Sequence, residues 1–194
     1  MRKKLSNDLV YSTALGFFAK YGYKKTTLDD IAVALGMTNS NLYSYARSKQ
    51  DLYIDSITYG IDLWQESVRQ ATDGIESATE KLQVAFQSAV DYIAYSETVK
   101  TLLKNDPNIF PMFPTSDPIE ELNIWAVSFI EGILEQGIQQ GEFREINAKE
   151  GARLIFNFYK YFIISTFVDE SGYDVDIKSQ MTTMSELLFH GLVK

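Results

Sequence analysis

Between Thr38 and Lys49 the chain reads Thr-Asn-Ser-Asn-Leu-Tyr-Ser-Tyr-Ala-Arg-Ser-Lys, a run rich in uncharged hydrogen-bonding side chains. Asn39 and Asn41 each carry an amide that can bond adenine N6 and N7 in bidentate fashion. Ser40 and Ser44 keep the same short segment polar. Thr27 and Lys49 stand where helices should begin, so each can hold a phosphate beside exposed backbone N–H groups. Thr27 and Thr38 also suit plain helix capping, and one hydroxyl can serve both ends. The chemistry on offer is recognition of a polar surface, with an ordinary solvated helix as the alternative.

Bond-making chemistry lacks its parts. The chain has no cysteine, and His190 is its only histidine. It shows no glycine-rich phosphate loop and no acidic cluster at metal-ligand spacing. The sequence predicts no enzyme, no metal and no cofactor.

A formal net charge of −8 speaks against nucleic acid until the chain is divided. Residues 1–53 hold eight basic side chains (Arg2, Lys3, Lys4, Lys20, Lys24, Lys25, Arg47, Lys49) against four acidic ones, a balance of +4. The remainder carries ten basic and 22 acidic residues, −12. A basic head on an acidic body can approach phosphates from one end only. The basic start Met1–Lys4 is not followed by an apolar run with a cleavage site, and the apolar stretch Phe156–Phe167 is too short for a membrane span. A cytoplasmic protein with no membrane partner is expected.

The elements that must position these residues are helices. Val10, Ala14, Phe17, Phe18 and Tyr21 form one stripe of a first helix, which Gly22 ends. Thr27 caps a second, with Asp29 and Asp30 in its first turn and Ile31, Ala32 and Leu35 inward, as far as Gly36. Thr38 caps a third from Asn39 to about Ala46. Ser48 caps a long fourth carrying Leu52, Ile57, Ile61, Trp64 and Val68. Later segments are predicted over Ile75–Tyr95, Glu97–Lys104, Ile119–Gln140, Ala148–Val168 and Asp176–Val193. All four prolines fall between Pro107 and Pro118, which predicts a non-helical connection. The expected fold is all-α, about nine helices: a helix-turn-helix head over 1–47 and a helical ligand-binding and dimerisation bundle over 48–194, linked by helix four at about 48–70. Small Ala32 lets two helices cross closely, and Gly36 supplies the tight turn.

Read together, Ala14-Leu15 with Phe18, Gly22-Tyr23, Thr26-Thr27, Ile31-Ala32, Leu35-Gly36-Met37-Thr38, Leu42-Tyr43 and Lys49 with Leu52 resemble the TetR family of bacterial repressors. The signature covers the first quarter of the chain. Ala46 departs from it, since a bulky apolar residue is more usual there. The resemblance implies a transcriptional repressor that binds a double-stranded, palindromic DNA operator as a homodimer and is released by a small effector. It also implies that Tyr43 and Tyr45 reach phosphate or a thymine methyl, although Tyr43 can equally be partly core. Arg2, Lys3 and Lys4 are either a basic arm or a solvated tail.

In the body, Ile155, Phe158 and Phe162 lie on one stripe and Met181, Met184 and Leu188 on another. They are candidates for a four-helix dimer interface, with an internal core as the alternative for part of both. Most body aromatics should be core. Candidates for lining an effector cavity are Trp64, Phe86, Tyr92, Phe110, Phe113, Trp125, Phe129, Tyr159 and Phe162. Such a lining suits a small apolar or aromatic effector, and the acidic body argues against polyanions such as coenzyme A esters. The alternative is a DNA-binding regulator controlled by a protein partner, which a body without a cavity would favour.

Overall fold

Each of the early helices begins where a hydroxyl can accept its first free amide. In the computed structural model, which describes residues 5–106, 109, 120–167 and 177–193, Ser6 caps α1 (Asn7–Lys25) and Thr27 caps α2 (Leu28–Ala34). Thr38 caps α3 (Asn39–Leu42) and Ser48 caps α4 (Lys49–Thr72). Each cap satisfies one N–H that a helix start leaves without a partner, contributing about 1 kcal/mol. Gly22 (φ 75°) breaks the helical geometry near the end of α1, and Gly36 (φ 64°) makes the turn between α2 and α3. Both positions would strain a residue bearing a Cβ.

Five helices follow: α5 (Ala78–Tyr95), α6 (Glu97–Asn105), α7 (Glu120–Gln140), α8 (Ala148–Phe167) and α9 (Ile177–Leu192). Among the described residues the fold is therefore nine helices, and its β-like feature is one antiparallel bridge between Phe143 and Val193. The expected all-α architecture holds. No helix among the described residues is long and apolar enough to cross a membrane.

Two boundaries differ from the sequence reading for clear reasons. The third helix is α-helical only to Leu42. Beyond it the Ser44 and Tyr45 amides bond the carbonyls of Asn41 (3.1 Å) and Leu42 (2.9 Å), three residues back, so the winding tightens. The fifth helix starts at Ala78, not Ile75, because Ser77 caps it and the Glu142 carboxylate accepts the amides of Ala78 (3.1 Å) and Thr79 (2.9 Å). The proline connection, apart from Ile109, and the Ser171-Gly172-Tyr173 turn lie outside the described residues.

Apolar side chains gather in two clusters. The smaller joins Val10, Ala14 and Phe18 of α1 to Ile31, Ala32, Leu42 and Leu52. The larger runs through α5 to α9 and includes Leu15 and Ala19 of α1 and Ile57 and Val68 of α4. Thus α1 and α4 each serve both clusters, and Tyr53 packs against both. The α1 helix also lies along α6, where the Asn105 side-chain amide donates to the Ala19 carbonyl at 2.7 Å.

Candidate nucleic-acid interface and effector cavity

The outer face of the head is built by α2, the Gly36 turn and α3. Thr26, 1% exposed, donates its hydroxyl to the carbonyls of Phe17 (3.1 Å) and Gly22 (2.9 Å), fixing the α1–α2 corner. Thr27, exposed, accepts from the Asp30 amide at 3.1 Å and donates to the Asp30 carboxylate at 2.6 Å. Leu42 is buried at 1%, which turns the rest of the α3 segment outward. Thr38, Ser40, Asn41, Tyr43 and Ser44 are all exposed, Tyr43 by half.

Individual side chains on this face differ in readiness. Asn41 makes no side-chain hydrogen bond to another described residue, so its whole amide faces outward. Asn39 is half-buried: its amide nitrogen donates to Asp29 at 2.7 Å, while its amide oxygen has no partner among the described residues. Bidentate pairing of Asn39 with adenine therefore requires release from Asp29. The Tyr45 hydroxyl donates to the Leu5 carbonyl at 3.0 Å, and the ring packs on the head cluster. That holds the chain before α1 against the end of the α3 segment. The Ser44 hydroxyl donates to the Asn41 carbonyl at 2.7 Å.

Lys49 sits at the first position of α4. Its ammonium lies 4.5 Å from the centre of the Tyr23 ring and donates to the Lys24 carbonyl at 3.4 Å. A cation held over an aromatic face is pre-oriented without being neutralised, and it stands where the helix dipole already favours an anion. The exposed hydrogen-bonding face and this cation make a surface suited to a duplex major groove and its phosphates.

In the body, a partly open cavity lies between four helices, its space about 600 Å³ when the solvent at its mouth is counted. The α4 side contributes Ile61, Trp64 and Val68, and α5 contributes Phe86 and Ala89. Trp125 and Phe129 of α7 stack with centroids 5.1 Å apart, and Phe156 and Tyr159 of α8 close the wall. No charged side chain among the described residues lines it. Arg69, paired with Glu66 at 3.4 Å, lies over the Trp125 ring at 5.0 Å. A second void shares Ile61 and Trp64 with the first and reaches Leu15 of α1 and Leu102 and Leu103 of α6.

Of the nine aromatic residues expected at a cavity, Trp64, Phe86, Trp125, Phe129 and Tyr159 meet there. Tyr92 faces a separate outer concavity with Tyr95, Phe162 is buried in the larger cluster, and Phe110 and Phe113 lie outside the described residues. Phe156 lines the cavity and was missed as a lining residue. Its i, i+3 spacing to Tyr159 was the available signal. The expected dimer stripes need correction. Ile155, Phe162, Met181 and Met184 are all 6% exposed or less and face this subunit's own core, while Leu188 is half-buried against it. Phe158 (48% exposed) is the member that faces out, together with Leu154 (68%) and Tyr161 (61%) on α8 and Leu187 (67%) on α9.

The described residues thus form a helix-turn-helix head with an exposed polar third segment, carried on a helical body with a largely apolar cavity. The family model for bacterial regulatory proteins of the tetR family matches residues 10–55. The chain is 25% identical over 131 residues to the HTH-type transcriptional repressor KstR2 of Mycobacterium tuberculosis, covering 68% of this chain and 66%, just under two thirds, of that relative's length. It is 22% identical over 186 residues to the fatty acid metabolism regulator protein of Bacillus subtilis, covering 94% and 93%. The crystal structure of the transcriptional regulator FadR from Bacillus subtilis in complex with stearoyl-CoA superposes with a TM-score of 0.77 at 19% identity, over 94% of this chain and 97% of that one. The likeness to the tetR family of bacterial regulatory proteins thus covers the head, residues 10–55, by family model and extends into the body through these relatives. These relatives are DNA-binding regulators, in keeping with the expectation that the chain is no enzyme.

Proposed function

We propose that the protein is a cytoplasmic, ligand-responsive repressor that binds a palindromic operator as a homodimer and leaves it when a small, largely apolar effector fills the body cavity. The domain division expected from sequence, head over 1–47 and body over 48–194, is part of this proposal. One observation carries it: α4 starts in the head at Lys49, over Tyr23, and forms a wall of the apolar cavity through Ile61, Trp64 and Val68. A ligand that prefers a shifted α4 changes the head's position, and linkage then requires the operator to weaken the ligand by the same factor. The cavity also favours a small molecule over a protein partner as the controlling signal.

Homodimerisation is supported by the outward stripe Leu154, Phe158 and Tyr161, one face of α8 at i, i+4 and i+7, with Leu187 exposed on α9. Twofold-related heads would enter major grooves one helical turn, about 34 Å, apart. The effector class widens to acyl thioesters. The stearoyl-CoA held by the Bacillus subtilis FadR structure supports this, as does an apolar cavity continued by a second void past Trp64. Net charge of the body argued against such ligands, but a thioester would offer the cavity a neutral carbonyl and an apolar chain, and no charged side chain among the described residues lines it.

The test starts with selection of bound duplexes from a random pool by the full chain, followed by titration of the selected duplex with stearoyl-CoA and with flat apolar aromatics. An inverted repeat bound by two subunits, released by one of these compounds, is expected. Selection of no sequence, or a one-subunit complex, would overturn the reading.

A further inference from the structure

Three side chains of the cavity wall carry hydrogen-bonding groups beside the Trp64 and Trp125 indoles, Gln65, Asn123 and Tyr159, and Tyr159 is the one whose group lacks a partner among the described residues. It is 5% exposed, its ring lies 5.9 Å from Phe86 and 6.2 Å from Trp64 between centroids, and its hydroxyl has no partner among the described residues. The neighbouring Trp64 indole N–H is already donated to the Ala89 carbonyl at 2.9 Å. A buried hydroxyl without a partner costs about 1–3 kcal/mol. A phenylalanine ring would fill nearly the same space without that cost, so packing alone does not explain a tyrosine here.

We propose that Tyr159 is the specificity-determining donor of the cavity, giving a hydrogen bond to a neutral oxygen, a carbonyl above all, on an otherwise apolar effector. This rests on reading the cavity as the effector site. A carboxylate in the same place would be buried with no cation lining the wall, which is costly. Burial pushes the Tyr159 hydroxyl well above its ordinary range, so it stays protonated and able to donate. The selectivity follows from desolvation: an oxygen placed there satisfies the hydroxyl, whereas a hydrocarbon of the same shape leaves it orphaned.

The chain's two tryptophans, Trp64 and Trp125, both line the cavity, so their emission reports occupancy. The probes are 2-acetylnaphthalene and 2-ethylnaphthalene, which share an aromatic body and differ in one carbonyl. The wild-type protein should bind the ketone about tenfold more tightly than the hydrocarbon. Tyr159→Phe should bind both alike, with the hydrocarbon no weaker than in the wild type. Equal binding of the pair by the wild type, binding of neither, or a preference that survives Tyr159→Phe would each overturn the proposal. Ala89→Phe fills the cavity and separates the two readings. Undiminished binding there refutes the cavity as the site. Loss of binding there, with the preference intact in Tyr159→Phe, refutes only the role of Tyr159. Thermal unfolding of each variant confirms that it is folded.

Discussion

The Tyr53 hydroxyl donates a hydrogen bond to the Asp106 carboxylate, joining the second turn of α4 to the end of α6. The Tyr53 ring meets Phe18 edge-on at 5.0 Å and Tyr23 at 5.0 Å, and Tyr23 is the ring beneath Lys49. One run of contacts therefore leads from the Lys49 ammonium to α6, whose Leu102 and Leu103 border the second void. Burial, then the bond to Asp106, pushes the Tyr53 hydroxyl far above its ordinary value, so it remains a donor at any physiological pH.

Tyr53→Phe removes the donor and leaves a carboxylate without its bond. Urea unfolding should show a loss of about 1–3 kcal/mol, as expected for a hydrogen bond to a charged group. Asp106→Asn keeps an acceptor and should lose less. A Tyr53→Phe protein as stable as the wild type would show the bond contributes nothing.

Asn41 and Lys49 are expected to fail differently. Asn41→Ala should weaken the selected operator by about 1–3 kcal/mol while leaving binding to random duplex unchanged. Lys49→Ala should weaken both alike and lower the slope of log affinity against log salt by about one unit. Filter binding across a salt series reads both. An unaltered slope for Lys49→Ala would remove its phosphate role.

Phe158→Glu places a charge in the outward stripe of α8 without touching the subunit core. Sedimentation should report monomer for this variant, and operator affinity should fall with it. A Phe158→Glu protein that still sediments as a dimer would move the interface elsewhere.

Glu142 supplies a pH prediction. Hydrogen bonds from Thr79 first, then from Ser77 and the Ala78 amide, hold its carboxyl below the usual glutamate range. The unfolded chain then binds the proton more readily than the folded one. The stabilisation is present above the ordinary value, about 4.3, and is lost as pH falls through the lowered folded value. Thermal scans should show Glu142→Gln less stable at neutral pH and flatter in its acid dependence. Parallel curves would refute the linkage.

Much of the head was legible because its signals are local. Thr27, Thr38 and Ser48 are caps with their partners three residues away, and Gly36 marks a turn by its own conformational freedom. The body was harder wherever the partner is remote in sequence. The start of α5 depends on Glu142, some 65 positions on, and no periodicity points to it. The α8 helix is apolar on more than one face, so spacing alone could not say that Ile155 and Phe162 turn inward while Leu154 and Phe158 turn out. Asn39 was legible as a polar residue of the third segment, but its bond to Asp29 needs the angle between two helices.

Because Leu15 and Ala19 of α1 belong to the larger cluster while Val10, Ala14 and Phe18 belong to the smaller, the head has no clean seam. A fragment cut at residue 47 would bare the Leu15–Ala19 side to water and forfeit the Asn105 bond to Ala19. Chimeras that graft this reading head onto another regulator must therefore match the recipient's α6 to this face, or they will trade specificity for a sticky, half-supported module.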